Sequence, residues 1–291
     1  LRDEQLQAEA SLDLAGRLRG QNTRLQLQAN GEGERWDLPV IDLRMGDNRV
    51  QGNGTWAQTL DGRLQFELGR LAQLWPGLRG RVNGEVTLAG TAAAPSAQLE
   101  LNGRNLAYQD NRLRRLNLQG QLSDGERGRL ALNAERIRAG ETDLGALRID
   151  AEGTAERHQA ELQLQGPLLD LALAFDGGLR GEDWLGRLTR GELSAQQQDW
   201  ALQRPATLQR FADGRLEFGA HCWRSGPASL CAENQRLLPE PQISYRLRDF
   251  SLQTLADYLP EDFRWQGELN ADIELDLPAG GPNGRVRVDA G

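Results

Sequence analysis

Two stretches of this chain repeat one pattern of alternating residues. Each contains a run in which every second residue is apolar, then a proline, then renewed alternation; the copies lie at residues 80–101 and 267–288. A leucine-rich turn ending in proline precedes each copy, at residues 71–76 and 255–260. Repeat units bury their apolar faces only against neighbouring units. The repetition therefore predicts an elongated sheet assembly rather than a compact catalytic domain.

The same alternation runs through most of the chain, with Gly, Asn or Asp residues between the alternating segments. Short period-two segments separated by turn residues are typical of antiparallel strands. One face of each strand is apolar and the other carries Arg, Gln, Glu, Asn and Asp. The apolar face could meet a second sheet, close into a barrel or line an open trough. The predicted fold is all-β, an elongated and curled antiparallel sheet with an apolar concave interior. Gly84, Gly120 and Gly166 are expected to permit its bends.

The alternation weakens between residues 176 and 192, where Asp176-Gly177-Gly178 and Gly181-Glu182-Asp183 interrupt it. Clusters of glycine and acidic residues favour turns. We therefore expect two segments of one repeat sheet, residues 1–176 and 177–291. The stretches before Trp75 and around residues 251–259 are expected to form short helical turns.

Composition excludes several classes of function. All 34 basic residues are arginine, so neither a phosphate-binding loop of the Walker type nor a Schiff-base lysine is present. The net charge of −8 and the absence of a basic run in the sequence argue against nucleic acid and anionic lipid headgroups as partners. No apolar run approaches the length of a membrane-spanning helix.

Catalytic and metal-binding patterns are also missing, and we expect no enzyme activity and no cofactor. His158 and His221 are the only histidines, and no nucleophile pattern surrounds them. Zinc at His221 and Cys222 is disfavoured because adjacent strand residues face opposite sides. The acidic alternation at residues 272–276 lacks the calcium-loop pattern and is expected to be solvated.

Cys222 and Cys231 enclose eight residues that include Ser225-Gly226-Pro227. Such a turn can fold the chain back and bring the two thiols together. We predict a disulfide, which is typical of an oxidising compartment such as the bacterial periplasm. Two reduced, buried cysteines are the alternative.

The chain has seven tryptophans, at positions 36, 56, 75, 184, 200, 223 and 265. Tryptophan suits the rim of a groove, because its ring is apolar and its N–H is polar. Burial in a core is the more common situation for large aromatic side chains, and it is the one we expect.

The unit Leu-Pro, then Gly-x-Leu/Val-x-Gly/Ala-x-Val/Ile-x-Leu, then Pro with renewed alternation resembles the repeats of the TamB family and its AsmA-like relatives. The tryptophan and cysteine segments at 184–188, 200–202, 222–223 and 230–231 are similar to the same family. This resemblance implies a periplasmic protein anchored in the inner membrane through a segment absent from this fragment. It also implies the outer-membrane barrel protein TamA as partner, and phospholipids or nascent outer-membrane β-strands as cargo.

Together these patterns predict a non-enzymatic conduit whose apolar faces line a hydrophobic groove. A groove of several strands could hold an acyl chain without a polar anchor, at about 0.8 kcal/mol per buried methylene. The alternatives are a closed core built from the same residues and a structural passenger or adhesin domain. The predicted groove-lining residues are Val82, Val86, Leu88, Leu99, Leu101, Leu116, Leu118, Leu130, Leu132, Leu147, Ile149, Leu162, Leu164, Leu171, Leu173, Leu269, Ile273 and Leu275.

Overall fold

The computed structural model describes residues 7–195, 198–254 and 266–291. These residues form 22 β-strands and a short 3-10 helix, and the described strand pairings are antiparallel. The prediction of an antiparallel all-β chain is confirmed. The chain divides into two compact units, Leu1–Gly153 and Thr154–Gly291.

The first unit is an antiparallel meander in which each strand pairs with the next along the chain. Its tight turns contain glycines with positive φ, such as Gly33 (57°), Gly46 (58°) and Gly140 (60°). A residue without a Cβ adopts this conformation at little cost. Its strands are β1 (Gln7–Leu18), β2 (Gln21–Glu32), β3 (Arg35–Met45), β4 (Asn48–Trp56), β5 (Leu60–Leu68), β6 (Leu78–Gly90), β7 (Pro95–Tyr108), β8 (Asn111–Ser123), β9 (Arg127–Ala139) and β10 (Thr142–Gly153).

The connection between β5 and β6 contains the 3-10 helix Leu71–Gln73, where the sequence predicts a short helical turn. Leu71, the first residue of this helix, is buried. The buried Asn48 side chain fixes this connection, because its amide donates to the carbonyl oxygens of Met45 and Arg70, both at 3.1 Å. Its Oδ1 accepts the backbone N–H of Arg70 in return, also at 3.1 Å. Of the second predicted helical stretch, residues 252–254 form a 3-10 turn, and the rest lies outside the described residues.

The second unit begins with the antiparallel strands β11, β12 and β13 and ends with β20, β21 and β22. Its strands are β11 (His158–Gln165), β12 (Asp170–Arg180), β13 (Asp183–Ala195), β14 (Gln198–Leu202), β15 (Ala206–Arg210), β16 (Leu216–Phe218), β17 (His221–Ser225), β18 (Ala228–Ala232), β19 (Gln235–Leu238), β20 (Gln242–Ser251), β21 (Glu268–Asp276) and β22 (Asn283–Ala290).

In the middle of this unit, three neighbouring extended segments are each divided into two short strands at the same level of the sheet. β14 and β15 both pair with β13, and the breaks between β14 and β15, β16 and β17, and β18 and β19 lie side by side. The break at residues 203–205 contains Pro205, which cannot donate to a ladder. Several of the most deeply buried side chains lie next to this line, including Leu188, Ala206 and His221.

The predicted disulfide is confirmed. Cys222 on β17 and Cys231 on β18 are direct cross-strand partners, with their Cα atoms 4.1 Å apart. The turn at residues 225–228 connects the two strands as a hairpin. The disulfide therefore joins two strands next to the line of interruptions.

The predicted boundary at residues 176/177 falls inside β12, whereas the compact units divide after Gly153. Gly177 and Gly178 lie within a paired strand, and at each of them a neighbouring group fills the space that a Cβ would need. A Cβ at Gly177 would lie 2.5 Å from the Trp184 ring, and one at Gly178 would overlap the carbonyl oxygen of Glu156. Here glycine permits close packing rather than a turn.

Candidate functional site

Apolar residues of the first unit align in rows that cross the strands. Residues directly opposite one another in an antiparallel sheet share a face, so the pairing register defines each row. The first apolar row is Leu14, Leu25, Leu43, Val50, Phe66, Gly84, Leu101, Leu118, Leu132 and Ile149. The second apolar row is Leu12, Leu27, Ile41, Gly52, Leu64, Val86, Leu99, Gly120, Leu130 and Ala151.

These rows lie two residues apart on every strand and therefore share one surface, the apolar face. A shorter third row on the same face contains Val82, Leu116 and Leu147. Leu88 lies on this face too, two residues beyond Val86 of the second row. All eleven groove-lining residues predicted between positions 82 and 149 thus lie on one face. The prediction omitted the continuation onto β1–β5, although the alternation there carries the same signal.

The side chains of the apolar face are not enclosed. Between residues 82 and 149, each predicted residue keeps part of its surface in solvent, and Leu130 is 39% exposed. Leucine, valine and isoleucine in a closed core are most often fully buried.

Glycines on the apolar face mark places where neighbouring strands approach closely. A Cβ at Gly84 would overlap the carbonyl oxygen of Glu100 on β7. A Cβ at Gly52 would likewise overlap the carbonyl oxygen of Arg63 on β5. Gly84 therefore lies where two strands approach closely, whereas a Cβ at Gly120 would meet only ordinary contacts, at 3.4 Å or more. The bends expected at these glycines stay a prediction.

Buried apolar side chains of the first unit lie mainly near the strand ends. Met45 and Leu71 are buried near one set of turns, and Leu60 is buried near the opposite set. In the third row, between Leu116 and Leu147, the Ala134 side chain is buried, at 5% exposure. The strand ends are thus more tightly packed than the leucine-rich middle.

Tryptophans of the first unit occupy the rim of the apolar face. Trp36 and Trp56 are direct cross-strand partners near one end of the strands, and Trp75 lies in the β5–β6 connection. Their exposures are 40%, 56% and 56%, so the expectation of buried tryptophans is wrong for these three. Strand ends and connections have too few neighbours to enclose a large ring. Trp265 lies outside the described residues.

The predicted residues of the second unit form two groups. Leu162 and Leu164 on β11 oppose Leu173 and Leu171 on β12. On β21, Ile273 opposes Tyr245 and is 37% exposed. The remaining two predicted residues, Leu269 and Leu275, share its face through the alternation of β21 and are half-buried. None of the seven is buried.

Aromatic side chains occupy the strands between those two groups. A Cβ at Gly191 of β13 would overlap the ring of Trp223, so this tryptophan covers β13. Trp200 stacks on Phe250 with a centroid distance of 6.4 Å. In this part of the second unit, aromatic rings therefore take the place that leucine side chains have in the first.

The opposite, polar face of the first unit carries cross-strand ion pairs. Asp42 accepts two hydrogen bonds of 2.9 Å from Arg49 and a weaker pair from Arg44. The Arg49 guanidinium is the main cause that lowers the pKa of Asp42 to about 2. Arg63 similarly lowers the pKa of Glu85, with a 2.7 Å contact. These pairs fix the strand register on the solvated side.

The described residues offer no catalytic constellation. Nδ1 of His221 lies 2.8 Å from the Gly219 carbonyl oxygen, and burial lowers the pKa of this histidine. Nε2 of His158 lies 2.7 Å from the donating Trp184 indole nitrogen. Within the described ranges, no three His, Cys, Asp or Glu residues gather as a metal site, and no helix has the length and hydropathy needed to cross a membrane.

Two terminal strands are open to solvent. Every residue of β1 and of β22 is exposed, and in the described residues each strand pairs within its unit only with its neighbour, β2 or β21. Leu14 on β1 is 54% exposed and Val286 on β22 is 64% exposed. An unpaired strand edge of this kind can accept another strand.

A family model described as "TamB, N-terminal domain" matches residues 1–291. The chain belongs to this family. The match extends over both units. No solved structure matches the chain.

A curated relative, the translocation and assembly module subunit TamB of Haemophilus influenzae, is 25% identical over 200 residues. The aligned region covers 67% of this chain but 15% of the relative. The chain therefore spans a small part of that protein's length.

Proposed function

We propose that the chain is a non-enzymatic part of a periplasmic translocation and assembly apparatus, and that its apolar face holds the acyl chains of phospholipids. The observation that carries this proposal is the pair of aligned apolar rows whose leucines remain accessible. A phospholipid presents acyl chains and a polar headgroup, and an open apolar surface can take up the chains while the headgroup stays in water.

The dimensions of the rows fit this cargo. Ten strands spaced by about 4.8 Å give each row a length of about 43 Å. A bilayer leaflet has a hydrocarbon thickness of about 15 Å, half of the 30 Å core. The rows are therefore long enough for acyl chains to occupy several successive positions.

The energetics favour movement along the rows. Each methylene that leaves water contributes about 0.8 kcal/mol, so a chain of about fifteen methylenes gains roughly 6 kcal/mol when half of its surface is covered. This gain is sufficient to hold a lipid on the protein in water, yet it is smaller than the free energy that the same chain gains in a bilayer. Neighbouring positions along a leucine row are chemically similar, so no single position traps the chain.

In the full-length protein, we propose that this segment lies in the periplasm, that an inner-membrane anchor belongs to another part of the chain, and that the outer-membrane barrel protein TamA is the partner. The name of the relative, a subunit of a translocation and assembly module, supports a role in such a module. The disulfide between Cys222 and Cys231 is typical of an oxidising compartment.

Lipid co-purification tests the proposal. The variant carrying Val86→Arg and Leu164→Arg places a charge on the apolar surface of each unit. The matched control carries Gln98→Arg and Gln163→Arg, at exposed positions of the polar surface. Mass spectrometry of the solvent extract is expected to find phospholipid with the wild type and the control but not with the first variant. Absence of phospholipid from the wild type would instead favour a structural passenger or adhesin domain.

The open edges favour a second candidate, in which β1 or β22 binds nascent outer-membrane strands by β-augmentation. Backbone hydrogen bonds at an edge do not depend on the apolar rows. The double arginine variant is therefore expected to keep strand-peptide binding while it loses lipid. Loss of both activities together would show that strands also bind on the apolar face.

A further inference from the structure

Arginines of the first unit gather on the polar face at one end of β6–β9. The pairing register places them in two neighbouring rows, Arg81, Arg104 and Arg115 in one row and Arg79, Arg112 and Arg138 in the other. Arg114 and Arg136 lie between the rows. We call these eight residues the arginine patch. The sequence contains no basic run because strand pairing brings these residues together from positions 79 to 138.

The patch lies opposite the apolar face. A Cβ at Gly103 would meet the side chains of Leu106 and Leu116, so Leu106 lies on the apolar face. Leu106 opposes Leu113, and Leu113 opposes Ile137. Their strand neighbours Arg112 and Arg138 consequently project from the polar face.

The positive charge of the patch is largely uncompensated. Of its eight arginines, Arg115 alone forms an ion pair among the described residues, a 3.3 Å contact with Glu135. Asp143 opposes Arg138 but accepts the backbone N–H of Gly145 at 2.9 Å. The other nearby carboxylates, Asp110 and Glu141, lie in the adjoining turns and form no ion pair in the described ranges.

Like charges lie directly opposite one another in this patch. Arg112 opposes Arg138, and Arg81 and Arg115 both oppose Arg104. Such pairs destabilise a sheet when no counter-charge is near. Elsewhere on this face, directly opposed arginines have a carboxylate beside them. Arg24, Arg44 and Arg49 oppose one another in turn. Each of the three forms an ion pair with Asp13 or Asp42, at 2.7–3.2 Å. The arrangement indicates that the counter-charge comes from an external anionic surface.

Irregular backbone gives the patch its shape. Asn105 and Arg136 have φ of 51° and 55°, and the register shifts at Gly80 and before Gly145 lie at the same level of the sheet. A shallow depression forms there, lined by Arg112, Arg114, Arg136 and Arg138 together with Asn105, Leu106, Ala107, Leu113 and Asp143. Guanidinium groups around such a depression can bind phosphate oxygens in bidentate fashion.

An exposed aromatic side chain borders the patch at the strand ends. Tyr108 is 44% exposed and opposes Leu78, next to Arg79. Trp75, in the connection before Leu78, is 56% exposed, and its ring lies under the Arg19 guanidinium, 5.2 Å away. Tryptophan and tyrosine favour the headgroup region of a bilayer. Arginine and exposed aromatic residues together fit a phospholipid surface better than they fit an acidic protein segment.

We infer that the arginine patch binds the phosphate headgroups of an anionic phospholipid bilayer. This contact is separate from the apolar face and does not rest on lipid transport along it. It departs from the expectation, based on net charge and the absence of a basic run, that anionic headgroups are not a partner. The patch would hold this end of the first unit against a membrane surface.

Vesicle flotation with the 291-residue chain tests the inference. Neutral vesicles contain phosphatidylcholine alone, and anionic vesicles contain phosphatidylcholine with about one third phosphatidylglycerol. We expect binding to the anionic vesicles that decreases as salt is raised from 0.1 M to 1 M, because the Debye length falls from about 10 Å to about 3 Å. Equal binding to both vesicle types, or no binding, would overturn the inference. The second result would point to an acidic protein partner.

Matched charge variants locate the surface. The patch variant is Arg112→Gln, Arg114→Gln, Arg136→Gln and Arg138→Gln, and the control is Arg204→Gln, Arg210→Gln, Arg224→Gln and Arg287→Gln. The control positions are also exposed and form no ion pair in the described residues. Each arginine near an anionic surface raises partitioning about fivefold, so we expect the patch variant to lose at least about a hundredfold. Circular dichroism verifies folding of both. An equal loss in patch and control variants would refute the assignment.

Discussion

Leu132→Arg distinguishes an open apolar face from a closed core. Leu132 lies in the middle of the first apolar row, where it opposes Leu118 and Ile149 and is half-buried. Full burial of a leucine side chain stabilises a fold by about 1.5–3 kcal/mol, so a half-buried one contributes about 1 kcal/mol. On an open face the arginine can extend its guanidinium into water. We therefore expect the free energy of unfolding to fall by no more than about 1.5 kcal/mol.

A closed core would give a much larger effect. An arginine enclosed by apolar side chains has no partner for its charge, and an uncompensated buried charge costs about 3–5 kcal/mol. The assay is urea denaturation followed by circular dichroism, with the slope of the transition checked for change. A decrease of more than about 3 kcal/mol for Leu132→Arg would refute the open-face interpretation.

Two neighbours of Leu132 serve as controls in the same assay. Ala134→Arg changes a buried side chain of the third row, which is 5% exposed, and is expected to cost at least about 3 kcal/mol. Asn133→Arg changes an exposed residue of the polar face and is expected to alter stability by less than about 0.5 kcal/mol. We therefore expect the loss of unfolding free energy to be intermediate at position 132, negligible at position 133 and large at position 134.

Further predictions concern the disulfide, an ion pair and a glycine. Replacing Cys222 and Cys231 by serine is expected to cost about 2–3 kcal/mol of unfolding free energy, and reductant is expected to lower wild-type stability equally. The lowered pKa of Asp42 gives stability that is present above pH 3.8 and is lost as pH falls through about 2. Asp42→Asn should thus reduce stability by roughly 1–2 kcal/mol at pH 7, and the difference from wild type should vanish near pH 2 in urea titrations. Gly84→Ala, which would overlap a β7 carbonyl, is expected to lower the urea midpoint, whereas Gly16→Ala meets no atom within 4 Å and is expected to leave it unchanged.

The face of the sheet on which most side chains lie was predictable, because successive residues of a strand point to opposite faces. The eleven predicted residues between Val82 and Ile149 share one face of the sheet, since apolar and polar residues alternate around each of them. The Cys222–Cys231 disulfide was predictable because one short turn separates the two cysteines. These inferences needed only neighbouring residues.

Features that depend on pairing register were not predictable in the same way. The arginine patch combines residues of four strands, and no local pattern shows that Arg112 opposes Arg138. Gly177 and Gly178 have the sequence signature of a turn, but in the structure they lie inside β12 and allow close packing. The exposed position of Trp56 depends on its place at a strand end.

Site-specific photocrosslinking tests the central claim most directly. A benzoyl group at position 132 faces the apolar rows, and the same group at position 133 faces the polar side. If the apolar face carries acyl chains in cells, position 132 gives phospholipid adducts by mass spectrometry and position 133 does not. Adducts of position 132 only with apolar residues of the same chain, with no lipid at either position, would contradict the account.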